Sequence, residues 1–387
     1  MKIPTDLHVG LLATVVAVAA TATVAPAGAG RGASSSPALR VVAANLDNPR
    51  KLVVDSKGTV YVAEAGAGGR DRCFTESGSK TCVGLTGAVV AIAGSSQTKV
   101  VTGLPSAASS DGSDAEGPAS LVVRGNRYVV LIGDGRVGKT SRLGPDGALT
   151  GDLVSTRPGK VEAQVLANFG AFEASHNPDH GAGPGTAAGD PALDSNPYDV
   201  ISFRGGYAVV DAAANDLLWV SPAGKITVLA VFPTQVEHVA AGVVGKRAAS
   251  LTVQSVPTSV TVGPDGALYV GELTGYPFAV GKARIWRVVP GHKPEVYASG
   301  FTNVSDLAFD GNDLLVLEIA SRGLRDAGSP GALIRLRPDG TRTVVATAGL
   351  VDPTGVAVGD GRIYISDYGT SPATGAGHHG EIVSIPA

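Results

Sequence analysis

Three sets of residues in the chain could do chemistry. One is a carboxylate that recurs at the end of short apolar runs such as VYVAE and LYVGE: Glu64, Asp211, Glu272, Glu318 and Asp367, with Asp134 a shifted sixth. A ring of such groups would hold a cation or a polar ligand. The alternative is architectural: each carboxylate accepts backbone N–H groups from the loop that follows it, as Asp and Glu commonly do at turns. A feature repeated this often reads first as architecture. The second set stands just before or within the preceding apolar run: Asn48, Arg50, Asn196, Asp199, Ser259, Asn303, Asp306 and Thr354. Its mixed chemistry suits a pocket for a polar small molecule. The third lies in EASHNPDHGAGPGTAAGDPALDSNP, which carries Glu173, His176, Asp179, His180, Asp190 and Asp194. Two histidines with several carboxylates are able to bind zinc or calcium. So Gly/Ala-rich a run nevertheless reads first as a solvated loop, as do the surroundings of His238 and of His378-His379. No GxSxG elbow, HExxH helix or Walker-type loop is present, so those chemistries have no sequence support.

The elements that must position these residues come in six copies of one pattern. They read NPRKLVVDSKGTVYVAEAG, GPASLVVRGNRYVVLIGDG, NPYDVISFRGGYAVVDAAA, VPTSVTVGPDGALYVGELT, TNVSDLAFDGNDLLVLEIA and DPTGVAVGDGRIYISDYGT. Each is a tight hairpin with glycine in its turn: Gly58, Gly125, Gly205, Gly266, Gly311 and Gly361, where positive φ carries little cost. A second, less regular pair of apolar runs follows. Four antiparallel strands per unit, at roughly 40–50 residues plus insertions, is the pattern of a β-propeller blade. The sixth copy has only three strands, and ALRVVAANL, residues 38–46, resembles the outer strands elsewhere. The chain is therefore all-β, a six-bladed propeller closed by an N-terminal strand at about residues 39–44. The A–B and C–D turns are short, so the long insertions fall on the face carrying the B–C and D–A connections. That is the expected working face, because loops carry function on a rigid scaffold.

Composition agrees with many turns and few helices. The chain has 387 residues with 53 Gly and 24 Pro, which would break long helices. At 44% hydrophobic residues it is too apolar for global disorder. With 31 basic against 34 acidic residues, it has no electrostatic footprint for nucleic acid. Lys2, the uncharged stretch 9–24 and the small residues around Ala27 and Ala29 read as a secretory signal cleaved near either alanine. The stretch falls short of the ~20 apolar residues of a spanning helix, so no stable membrane anchor is expected. The expected product is a secreted, monomeric propeller domain over residues 30–387. Its two cysteines, Cys73 and Cys82, are expected to close one loop by a disulfide in an oxidising compartment.

The repeats resemble NHL-repeat and gluconolactonase-like propellers in their P-x-x-V…DG-x-hydrophobic-Tyr-Val-Ala-Glu rhythm. From about residue 39 to 387 the chain more closely resembles the ScyD/ScyE family of secreted bacterial propellers. The stretches that carry this are LDNPRKLVV, YVAEAGAGG with its two cysteines, AFEASHNPD, DSNPYDV, VPTSVTVGPDGALYVGELTGYPF and FTNVSDLAFDGNDLLVLEIA. That family is named after proteins associated with production of the sunscreen pigment scytonemin; it implies no defined activity, nor a pigment pathway for every member. The gluconolactonase-like resemblance implies a divalent metal at the channel, held by a Glu near the first blade and by Asn and Asp at later blades. Here the residue after the lead proline is Arg50, Ala119, Tyr198, Thr258 or Thr354, with Ser305 in the copy lacking Pro, so that triad is not reproduced in register. The expectation is a non-catalytic scaffold that binds an unknown small molecule or protein through Asn48, Arg50, Asn196, Asp199, Ser259, Asn303 and Asp306. No cofactor is expected, with calcium the metal the residues would admit. A metal-dependent lactonase using Asp199, Asp306 and Asn196 is the alternative, and a quinone-dependent sugar dehydrogenase the second.

Overall fold

A computed structural model describes residues 38–387 except 77–78, 135–136, 138–141, 161–162, 182–192, 242–247 and 371–378. The expected signal segment, Asp190 and His378 lie outside the described residues.

The alternation of short apolar runs with glycine turns produces six blades of four antiparallel strands arranged as a β-propeller, and in blade 1 the sheet is extended by Arg72–Glu76 and by Gly159–Lys160, the latter pairing in parallel. In blade 3 the strands A to D are Pro197–Phe203, Gly206–Asp211, Asp216–Val220 and Ile226–Val231, hydrogen-bonded in that order. Blades 4 and 5 begin at Pro257–Val262 and Val304–Asp310, and blades 1 and 2 at Pro49–Val54 and Pro118–Arg124. All six hairpin glycines named from the sequence have φ between 59 and 77°. Blade 6 takes strands Gly355–Gly359, Arg362–Asp367 and Gly380–Pro386 from the end of the chain. Its outer strand is Arg40–Leu46, with Val41 opposite Val383 and Leu46 opposite Gly380, so the ring closes as expected.

Burial falls from the inner strands outward, as propeller geometry requires. Strand B of blade 4, Leu268–Glu272, is buried throughout, whereas strand D, Glu295–Phe301, is largely exposed. Six apolar clusters sit between neighbouring blades. One joins Val129, Leu131 and Leu153 to Val200, Val209 and Leu218, and another joins Ala43 and Leu46 of the closing strand to Val62 and Val90 of blade 1. The stability of each blade thus depends on its neighbour, and that of blade 6 on both ends of the chain.

Strand A carries a repeated irregularity that matters for the axis. In five blades the ladder slips by one residue just after the lead residue, between Pro49 and Leu52, Pro118 and Ser120, Pro197 and Asp199, Pro257 and Ser259, and Val304 and Asp306. Such a bulge re-aims the side chain that follows it. The insertions are more ordered than the sequence suggested. Arg72–Glu76 pairs antiparallel with residues 79–83, which sets Cys73 opposite Cys82, and a disulfide joins the two. The insertion between blades 2 and 3 opens with the helix Phe169–His176, and that between blades 3 and 4 holds the hairpin Gln235–Val239 and Ala249–Val253. No helix among the described residues is long and apolar enough to cross a membrane.

Candidate functional site

Around the axis, the second residue after each lead position forms the inner ring: Lys51, Ser120, Asp199, Ser259, Asp306 and Gly355. Lys51 is 4% exposed. Its Nζ lies 2.8 Å from Asp306 Oδ1, donates to the Ser305 carbonyl, and stands 5.7 Å from the centre of the Tyr198 ring. To get from blade 1 to blade 5 it passes the blade 6 position, which is glycine. A Cβ on Gly355 would come within 2.7 Å of the Arg50 carbonyl and 3.0 Å of Lys51 Cα. Opposite, Asp199 Oδ1 accepts from Ser120 Oγ at 2.7 Å. Each of these two aspartates also accepts a backbone amide from the blade that follows its own: Val260 N–H to Asp199 Oδ2 at 2.9 Å, and Val356 N–H to Asp306 Oδ2 at 2.7 Å. Burial pushes the Asp306 carboxyl up and the nearby Asp199 adds to this, while Lys51 and the Val356 amide pull it back.

The residues just before this ring are latches. Thr258 Oγ1 donates to the Val304 carbonyl at 2.6 Å, Ser305 Oγ to the Pro353 carbonyl at 2.9 Å, and Thr354 Oγ1 to the Pro49 carbonyl at 2.6 Å. Each hydroxyl therefore ties its blade to the next. The asparagines ahead of strand A brace loops. Asn48, at φ 52°, donates to the carbonyls of Gly66 and Gly112, both at 2.8 Å; Asn303, at φ 46°, donates to the Leu273 carbonyl and accepts from Leu324 N–H. Asn196 accepts from Asp134 N–H at 3.0 Å.

The sequence-selected residues thus fall into separate places. Asp199 and Asp306 share the axis with Lys51. Arg50 and Asn196 line a cavity of about 30 Å³ at the mouth with Asp114 and Tyr198, room for about one water. Asn48, Asn303 and Ser259 are fully buried in the frame, and Ser259 Oγ has no hydrogen-bond partner among the described residues. Sequence reading passed over Lys51 and Ser120, whose shared position with Asp199, Ser259 and Asp306 was the available signal.

The recurring carboxylates are architectural, with one correction to the expectation. Most grip the lead-in to strand A of their own blade rather than the loop after strand B. Glu64 accepts from Asp47 N–H at 2.7 Å, Glu318 from Thr302 N–H at 2.7 Å and Asp367 from Val351 N–H at 2.8 Å. Asp211 holds Ser195 Oγ and Asn196 N–H as well as the amides of Ala213 and Ala214. Glu272 holds Ser255 Oγ, Trp286 Nε1 and the Arg284 guanidinium. Burial drives Glu318 and Asp367 each to about 7, and Asp211 to about 6, against the pull of these donors.

The metal that the lactonase-like resemblance implies does not fit this channel. Asp306 already has a cation, the Lys51 ammonium, and both axial aspartates are engaged by backbone amides. No three Asp, Glu, His or Cys side chains among the described residues gather in an arrangement that could hold a metal ion. A larger opening lies on the loop-rich face between the B–C insertions of blades 1 and 2. This cleft of about 640 Å³ is lined by Arg70, Asp71, Arg72, Leu85, Thr86 and Asp146, among others. Arg72 lies so close over Gly144 that a Cβ there would meet its Nε at 2.4 Å.

No protein-family model matches the chain, and no curated protein matches it in sequence. Solved structures do match in fold. A calcium-binding protein, regucalcin, from Agrobacterium tumefaciens is 13% identical with a TM-score of 0.50, covering 90% of this chain and 93% of its own. A Thermus thermophilus protein described as an oxidoreductase (glucose dehydrogenase) is 14% identical with a TM-score of 0.50, covering 90% and 100%. The PQQ-bound aldose sugar dehydrogenase of Streptomyces coelicolor is 11% identical with a TM-score of 0.45, covering 90% and 96%. At these identities the likeness is one of fold alone.

Proposed function

We propose that the protein is a secreted propeller of the ScyD/ScyE type that acts as a non-catalytic binding scaffold through its loop-rich face. One observation carries the reading: the polar ring at the axis is spent on holding the blades together. Lys51, Asp199, Asp306, Thr258, Ser305 and Thr354 all bond across blades. The mouth leaves space for about one water. The cleft beside the Cys73–Cys82 hairpin has the volume of a small-ligand site. Its two arginines and glycine-rich backbone suit a polar or anionic group on a small molecule or a protein segment. Arg50 and Asn196 remain the candidate residues of the channel mouth, facing the same side. The protein works as a monomer outside the cytoplasm, and its channel needs no cofactor.

A thermal-shift screen of carboxylated and glycosidic small molecules tests the reading, run with the wild type and the Arg70→Ala/Arg72→Ala variant. Ligands that stabilise only the wild type support it. A parallel panel of lactones and esters, with calcium, magnesium or manganese, is expected to show no turnover above background. Turnover abolished by Asp306→Asn would overturn the non-catalytic assignment.

A further inference from the structure

The segment expected to be a solvated loop instead brings buried charge to the edge of blade 3. The helix Phe169–His176 is capped at its start by Asn168, whose Oδ1 accepts from Ala171 N–H at 2.6 Å. It ends at Asn177, at φ 40°, whose N–H bonds to the Glu173 carbonyl. Glu173 faces inward at 2% exposure, and Asp216, the first residue of strand C, is fully buried. Among the described residues, none of their four carboxylate oxygens has a hydrogen-bond partner. The two belong to one neighbourhood, because Asn215 Nδ2 reaches across to Asp179 Oδ2 at 2.8 Å, just beyond the helix. The charges acting on Glu173 are those of Asp179, Asp211 and Asp194, and those acting on Asp216 are Asp211, Glu173 and Asp179; every one is an acid. The histidines play no part: His176 stacks on Phe172 in solvent, and His180 is exposed.

An ionised carboxylate with neither donor nor cation is among the costliest groups to bury. Protonation would remove the charge yet leave the resulting O–H and C=O groups unmatched. A hard divalent cation answers both needs, since calcium binds carboxylate, carbonyl and water oxygens in flexible numbers. We propose that Glu173 and Asp216 hold a calcium ion, with main-chain carbonyls and waters completing its shell and Asp179 flanking it. Two direct carboxylates agree with the lack of any three-carboxylate cluster among the described residues. The ion would pin the helix of the blade 2–3 insertion to blade 3 and fix that sector of the loop-rich face. It is separate from the axial channel, where Lys51 supplies the positive charge.

The test uses the full chain, stripped with chelator and titrated with calcium chloride at pH 7.5 by calorimetry and thermal melting. One calcium per chain is expected. At a hundredfold excess over the dissociation constant, Tm should rise by about 4 °C in a chain of this size. Glu173→Gln/Asp216→Asn should abolish calcium binding and melt above the stripped wild type, since two buried charges are gone. Should the double variant not fold, Glu173→Gln alone should weaken calcium at least tenfold. Asp306→Asn should leave calcium binding unchanged. Stripped wild type that takes up no calcium and shows no change in Tm overturns the proposal. So does calcium binding that survives in the folded double variant, or that is lost in Asp306→Asn.

Discussion

Replacing Lys51 by methionine keeps the length of the side chain and removes its charge. Asp306 then retains two backbone amides, from Leu307 at 2.9 Å and Val356 at 2.7 Å, but no cation. At 2.8 Å, an effective dielectric of about 20 gives a gross attraction of roughly 6 kcal/mol. Stranding one member of a buried pair costs about 3–5 kcal/mol, and the remaining amides favour the lower end. In a chain of this size, about 3 kcal/mol corresponds to a fall in Tm of about 4 °C. The deficit has a pH signature. Asp306 is an acid whose folded value is already raised by burial, so its contribution to stability falls as pH climbs above the ordinary carboxylate range. Without Lys51 the folded value moves further up, so Lys51→Met should be close to wild type at pH 5 and weakest at pH 8. Lys51→Met/Asp306→Asn should recover most of the loss. Calorimetric melting at the two pH values decides it. A deficit that does not vary with pH, or a double variant no better than the single one, would refute the view that Lys51 is the channel's cation.

Other consequences are equally direct. Leu46→Ala, in the closing strand, empties part of the blade 6–blade 1 cluster and should cost about 2–5 kcal/mol by denaturant titration, while deleting residues 40–44 should abolish the cooperative transition. Gly355→Ala forces a Cβ into the Arg50 carbonyl and should cost about 1–3 kcal/mol, measured the same way. Glu318 rises from an ordinary 4.5 to about 7 through burial, so its contribution is present at low pH and lost as pH climbs through that window. Glu318→Gln, still able to accept from Thr302, should flatten the fall of Tm between pH 5 and 7.5. Reducing the Cys73–Cys82 disulfide should lower Tm by a few degrees at most and raise hydrogen exchange in residues 66–87, because the bond closes only a short loop.

The ring was legible because its signals are local. A glycine turn between apolar runs needs no knowledge of the rest of the chain, and the missing sixth outer strand could be matched to ALRVVAANL by pattern alone. The axis was legible only in part. Asp199, Ser259 and Asp306 stood out as polar residues inside apolar runs, but Lys51 resembled an ordinary surface cation beside Arg50. Its burial depends on a bulge that re-aims it and on the close approach of the two backbones that Gly355 permits, about 300 residues further along the chain. Glu173 was hidden for a different reason. The insertion as a whole is rich in glycine and alanine, yet its opening stretch, FGAFEASH, is a capped helix packed against blade 3 through Phe169. Composition averaged over the whole segment concealed that boundary.

The strand that closes blade 6 is also among the first parts of the propeller to be synthesised. Its partner strand, Gly380–Pro386, is made some 340 residues later. At a synthesis rate of roughly 5–20 residues per second, Arg40–Leu46 waits between about 17 and 70 seconds for the backbone groups it must pair with. During that time it is a short β-branched segment with open edges, the kind most prone to pair with another chain. The ring topology therefore sets a timing problem for the cell, and the early blades must be kept apart from other nascent copies until the last strand arrives.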